Sequence, residues 1–206
     1  MQPVEDAFRR HWPEAQRVNL LDDSLSVDRN REGPAIGPMS GTLSGTTFAR
    51  IAALAQYALG CRSDGILYTC SAFGEAIDAV KRTVHVPVLK PNEAMFDEAA
   101  RYGARIGLLA TFAPSIPSME KEFKEQHPKL KLISVCVPPA MAALQAGDGG
   151  THDRLCAEVA AKLAGCDAIM LAQFSTARAR AAVEKAVSCP VLTSPDSAVL
   201  RMKASL

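Results

Sequence analysis

Two stretches of this chain are copies of each other: DGILYTCSAFGEAIDAVKRTVHVPVL, residues 64–89, and DAIMLAQFSTARARAAVEKAVSCPVL, residues 167–192. They align without a gap at a constant offset of 103 residues. Asp64 falls on Asp167, Ile66 on Ile169, Ala76 on Ala179, Val80 on Val183, and Pro87-Val88-Leu89 on Pro190-Val191-Leu192. Each copy reads as a short apolar strand, a polar turn, an alanine-rich helix and a second short strand. An apolar run bounded by turn residues marks a strand covered on both faces, as parallel sheets require. The duplication also puts Cys70 and Gln173 at matching positions, directly after the first strand of each copy. One turn presents a thiol, its twin an amide.

A second repeat lies upstream. VEDAFRRHWPEAQRVNLL, residues 4–21, aligns on MEKEFKEQHPKLKLISVC, residues 119–136, with Phe8 on Phe123 and Pro13 on Pro128. Both copies read helix, proline break, strand. In the second half this unit follows RIGLLATFAPSIPS, residues 105–118, whose IGLLAT core reads as a buried parallel strand and whose end is a polar loop with two prolines. The first-half counterpart of that strand would precede Met1; the expectation is a short hydrophobic strand encoded in frame upstream, and the alternative is a half that lacks the strand and exposes Phe8 and Trp12.

The predicted order is helix 3–12, strand 17–21, an irregular segment 22–45, helix 47–59, strand 65–69, helix 73–82, strand 86–89, helix 93–102 and strand 105–110. It continues with helix 118–126, strand 131–136, helix 151–164, strand 168–172, helix 176–186, strand 190–193 and helix 195–203. Helices alternating with short apolar strands predict an α/β fold. Two pseudo-symmetric half-domains are expected, each a parallel sheet flanked by helices, with the N-terminal half lacking its first strand. Residues 1–92 with 193–206 form one half in this reading, and 93–192 the other. Parallel sheets bind ligands beyond the carboxyl ends of their strands, so the site is expected between the halves. The glycine- and proline-rich stretch from Gly33 to Gly45 excludes a helix there; it reads either as a lid or as a surface excursion.

Composition narrows the function. The 206 residues are 48% hydrophobic and 22% charged, with a formal net charge of +1. That suits a packed globular chain and, with no run of Lys or Arg to track a phosphate backbone, argues against nucleic acid as a partner. No apolar run approaches the roughly 18 residues of a membrane span, and no signal peptide precedes the first charges, which makes the cytosol the expected compartment. The six cysteines include no CxxC pair and no Cys/His cluster at metal-ligand spacing, so neither a disulfide framework nor a metal is expected. Histidines 11, 85, 127 and 152 read as surface or packing residues. Alanine-rich helices such as 176–186 suit the core or a homo-oligomer face equally.

Cys70 stands apart from the other cysteines because it ends a strand and opens a helix among polar neighbours. Helix N–H groups favour a thiolate, whereas apolar surroundings favour the thiol; the first state is a base, the second an acid. Gln173 cannot exchange a proton near neutral pH but can hold a carboxylate or water, or simply satisfy local backbone. Ser71, Ser175 and Thr176, with Thr111 and Ser115 after the strand IGLLA, are candidates to hold a carboxylate; capping and turn hydroxyls are their alternative reading. Thr193 and Ser194 read as caps for the last helix.

These motifs resemble the aspartate/glutamate/hydantoin racemase superfamily, which includes arylmalonate decarboxylase and maleate isomerase. The resemblance rests on ILYTCSA at 66–72, RIGLLAT at 105–111, VCVPPAMAALQAGDG at 135–149, CDAIMLAQFSTARA at 166–179 and PVLTSPDSAV at 190–199. It implies two half-domains with the site between them, no cofactor, and a small carboxylic acid as substrate. In the racemases two cysteines face opposite sides of the substrate α-carbon. Here Cys70 matches the first, while LAQ stands where Leu-Gly-Cys is usual and Gln173 takes the second place. The decarboxylases keep a single cysteine on the opposite half, so this chain mirrors their pattern. The resemblance implies proton transfer at a carbon α to a carboxylate with Cys70 as acid/base. A decarboxylase-like lyase and a carboxylate-binding protein without turnover are the alternatives.

Overall fold

The computed structural model describes residues 2–31 and 43–206. Helix α1 (Gln2–His11) is followed by coil and by α2 (Ser24–Arg31). Next come α3 (Gly45–Gly60), β1 (Ile66–Leu67), α4 (Gly74–Lys81), β2 (Val88–Leu89) and α5 (Glu93–Ala99). The chain then runs through β3 (Arg105–Ala110), α6 (Ile116–Gln126), β4 (Lys131–Cys136), α7 (Pro138–Gln145) and α8 (Gly149–Ala160). It ends with β5 (Ala168–Leu171), α9 (Arg180–Glu184), β6 (Val191–Thr193) and α10 (Ser194–Ser205). Short 3-10 segments link β1 to α4, β3 to α6 and β5 to α9. No helix among the described residues is long and apolar enough to cross a membrane.

The strands form two all-parallel sheets, β1-β2 and β4-β3-β5-β6. Their register repeats the sequence offset: Ile66 pairs with Val88 and Leu67 with Leu89, while Ile169 pairs with Val191 and Met170 with Leu192. The duplication is therefore a duplication of structure, and Cys70 and Gln173 follow equivalent strands.

Alternation of side chains along β3 and β5 divides the larger core in two. Ile106, Leu108, Ala168 and Met170 face one side, where Phe96 of α5 and Phe123 of α6 meet edge to face at 5.4 Å. Leu109, Ile169 and Leu171 face the other, against Leu163, Cys156 and Val183. Gly107 lies on this second side because a Cβ there would come within 3.0 Å of Leu163 Cδ1 and 3.2 Å of Ile169 Cγ1. The smaller sheet is covered by α3 and α4 through Ile51, Phe73, Ile77 and Val80. Fully burying each large apolar side chain contributes roughly 1.5–3 kcal/mol, so the four-stranded layer carries most of the stabilisation.

Three expectations need correction. Residues 17–21 are not a strand: they run as coil, with Val18 64% and Leu21 81% exposed. The reason is visible in the larger sheet, where β4 reaches β5 only through β3. Without a counterpart of β3 among the described residues, the counterpart of β4 has no neighbour to bond. It folds back on α1 instead: Arg17 Nε donates to Glu5 Oε2 at 3.1 Å and its guanidinium lies 5.6 Å from the Phe8 ring centroid. Phe8 and Trp12, half-buried, stack at 6.0 Å. The segment 22–45 is not wholly irregular, since α2 occupies part of it; residues 32–42, most of the expected lid, lie outside the described residues. Helix α7 was not expected, yet Pro138 and Pro139 occupy its first turn, where missing N–H groups cost nothing.

Candidate active site

The strand ends of the larger sheet converge on Gln173. Its Oε1 accepts from Thr111 N at 3.2 Å, Thr111 Oγ1 at 3.4 Å and Thr176 Oγ1 at 3.3 Å, and its Nε2 donates to Ser115 Oγ at 2.6 Å. Ser115 Oγ in turn donates to the Phe112 carbonyl at 2.8 Å. Thr111 and Thr176 are buried, Ser115 and Gln173 half-buried. Four of the residues proposed from sequence thus form one cluster, tying the end of β3 to the end of β5. Ser175 lies within the same turn, half-buried.

Two features of the cluster follow only from coordinates. Gln173 has φ 68° and ψ 144°, a backbone state that favours glycine. Cys70, its counterpart, is ordinary extended backbone at φ −120° and ψ 122°. The duplicated turns therefore differ in conformation as well as chemistry. The hydroxyl protons of Thr111, Ser115 and Thr176 are also already engaged within the protein. A carboxylate bound through these hydroxyls must draw them away from Gln173 and Phe112, while the second Nε2 hydrogen of Gln173 has no such prior use among the described residues.

Cys70 and Ser71 lie at the end of β1, on the smaller sheet, and among the described residues no hydrogen bond joins them to the Gln173 cluster. Cys70 is exposed. The surrounding protein disfavours its thiolate and pushes the thiol pKa up, an effect larger than the opposing hydrogen bond from the Ala72 backbone. At neutral pH this direction favours the thiol, the proton-donating form. Cys156 and Cys166 are buried, and burial pushes Cys156 up to about 12; both pack as apolar residues. Among the described residues no three His, Cys, Asp or Glu side chains are placed to hold a metal.

Residues after β2 and β6, of which the sequence reading considered only Thr193 and Ser194 and only as helix caps, connect the two sheets. Ser194 Oγ donates to Asn92 Oδ1 at 2.8 Å, both buried. Lys90 Nζ lies 3.2 Å from Asp78 on α4 and 2.9 Å from Glu122 on α6. The signal was the same offset, which aligns Lys90-Pro91 with Thr193-Ser194. Thr193 does cap α10, accepting from Asp196 N. An open hollow bordered by Leu20, Leu21, Arg50 and Tyr57 belongs to α3 and the preceding coil, not to the strand ends.

Comparison with known proteins bears on this arrangement. The profile of the family described as Asp/Glu/Hydantoin racemase matches residues 5–199. Curated protein sequences give no match. Among solved structures, a glutamate racemase from Bacillus anthracis superposes with a TM-score of 0.69 at 14% identity, covering 98% of this chain and 76% of the racemase. An allantoin racemase from Klebsiella pneumoniae gives 0.68 at 16% identity, covering 98% and 80%. A liganded arylmalonate decarboxylase variant, in which a glycine is replaced by cysteine and a cysteine by serine, gives 0.59 at 15%, covering 82% and 77%. At these identities the structures establish a shared fold.

Proposed function

The chain belongs to the Asp/Glu/hydantoin racemase family, and from that premise we propose that it is a cofactor-independent enzyme moving a proton at a carbon α to a carboxylate, with Cys70 as its single acid/base. In this reading residues 1–92 with 193–206 form one half-domain and 93–192 the other. The reaction takes place between their strand ends. The observation that carries it is the repeated register, which makes Cys70 and Gln173 counterparts while giving only one of them an exchangeable proton. Ser71, Thr111, Ser115, Ser175 and Thr176 bind the carboxylate and Gln173 orients it.

The proton balance is simple. Cys70 first gives up its thiol proton to solvent; as thiolate it then takes the α-hydrogen, the C–H electron pair passes into the carboxylate to give an enediolate, and the thiol so formed returns a proton to carbon. Backbone N–H groups and hydroxyls at the strand ends stabilise the enediolate charge. The experiment is α-hydrogen exchange in deuterated water across a panel of chiral 2-substituted acids, for wild type and Cys70→Ala. Label entering both proteins at equal rates removes Cys70 from the mechanism.

A lyase reading is favoured by one specific observation, the raised Cys70 pKa. A decarboxylation generates the enediolate by losing carbon dioxide and needs only the thiol form to protonate it. Release of carbon dioxide from a 2,2-disubstituted malonate, with no exchange into the corresponding monoacid, identifies this reaction. Saturable carboxylate binding unchanged by Cys70→Ser, with neither reaction, identifies a binding protein.

A further inference from the structure

The strand ends of this protein are almost free of charge. Residues 68–74 after β1, 111–119 after β3, 137–147 after β4 and 172–177 after β5 contain no Asp, Glu, Lys, Arg or His. Among the described residues the ionic groups that stand near these ends, Glu75 apart, are already matched. Lys90 is held by Asp78 and Glu122. Arg178 is held by Asp153 at 2.9 Å, and Asp196 by Arg10 at 2.6 Å and Arg180 at 3.0 Å. Glu75, the first charge after Cys70, is exposed one turn further along. In place of charge there are aromatic rings: Phe112, half exposed, directly follows Thr111, and Phe174 directly follows Gln173.

Recognition of an ammonium or of a second carboxylate away from water needs a counter-charge, because the lost hydration is otherwise uncompensated. A single carboxylate is different, since N–H and O–H donors suffice for it. We propose that the site takes a monocarboxylic acid whose remaining α-substituents are uncharged and at least one of them apolar, and that it rejects amino dicarboxylic acids. The inference rests on locating the site at these strand ends, as in the proton-transfer reading. Phe112 is its specificity-determining residue, lying against the apolar substituent.

The test uses the whole chain and two sets of probes, 2-methylbutyrate and 2-phenylbutyrate against aspartate and glutamate. Binding is followed by ligand-observed NMR and α-hydrogen exchange in deuterated water. The uncharged set is expected to exchange with kcat/KM roughly 100-fold higher, the scale on which a site separates substrates by one mismatched group. Phe112→Ala is expected to lower kcat/KM for 2-phenylbutyrate roughly tenfold and for 2-methylbutyrate by a smaller factor, in keeping with the smaller apolar area its substituents present. Aspartate or glutamate binding and exchanging as well as the uncharged acids overturns the inference and leaves the proton-transfer reading standing. Selective binding of the uncharged acids with no exchange supports the inference and sinks that reading. Binding of neither set overturns both.

Discussion

Replacing Gln173 separates two opposing effects at one position. Gln173→Ala removes the acceptor shared by Thr111 N–H and two buried hydroxyls, and the donor to Ser115. Each buried donor left without a partner costs about 1–3 kcal/mol. The three bonds to Oε1 are long, and water can enter beside a half-buried side chain, so the low end applies and the loss is about 3 kcal/mol in all. Alanine keeps the unfavourable φ of 68°. Gln173→Gly loses the same bonds but releases backbone strain of about 1–2 kcal/mol, less the roughly 0.5–1 kcal/mol of extra freedom glycine brings to the unfolded chain. Glycine is therefore expected to be the milder substitution, at about 2 kcal/mol. With a urea m-value of roughly 3 kcal/mol/M, the midpoint falls by about 1 M for alanine and about 0.7 M for glycine. A Gln173→Ala midpoint within about 0.2 M of wild type refutes the hydrogen-bond hub. A glycine variant weaker than the alanine one refutes the strain.

Cys70→Ala is expected to lower α-hydrogen exchange by about 100-fold or more, the usual contribution of a positioned acid/base, measured by NMR on the best substrate of the panel. In a Cys61→Ser background, which removes the other exposed thiol, iodoacetamide labelling of Cys70 is expected to go on accelerating above the pH at which an ordinary thiol is fully ionised; a plateau at the ordinary value contradicts the raised pKa. Asp196→Asn is expected to cost about 2 kcal/mol at neutral pH, less than for a fully enclosed pair because Arg10 and Arg180 are partly exposed. Burial acts to raise the Asp196 pKa, but bonds from Arg10, Thr193 and His11 outweigh it and hold the pKa below the usual range. Its contribution is thus complete above the unfolded value of about 3.9 and lost as pH falls through the folded value. Urea titrations should show the two proteins converging only in that acid range.

How much was legible from sequence depended on whether an element carries its own signal or borrows it from a neighbour. The 103-residue offset set the strands of the two copies at equivalent positions, and the register later repeats that offset, because apolar runs of fixed spacing leave little choice of face. Residues 17–21 offer Val18, Leu20 and Leu21 where β4 has a more continuous apolar run, but a strand is defined by its neighbour, and among the described residues none stands beside the segment. Helix α2, with sequence SLSVDRNR, has no apolar stripe to reveal it. Helix α7 hides behind two prolines that read as a break when their position in the first turn is not yet known. Thr111, Ser115, Gln173 and Thr176 were identifiable as strand-end residues. Their union through one amide, and the positive φ that places it, were not, since both depend on side-chain geometry across 62 residues of chain.

The unequal sheets have a consequence for how the protein breathes. Cys70 hangs from two paired residues per strand, whereas Gln173 is anchored in a layer four strands wide. Amide hydrogens around β1 and β2 should therefore exchange through small local openings long before those of β3 and β5. Cys70 and its amide counterpart keep different time: one rides on the part of the molecule that yields first, the other on the part that yields last.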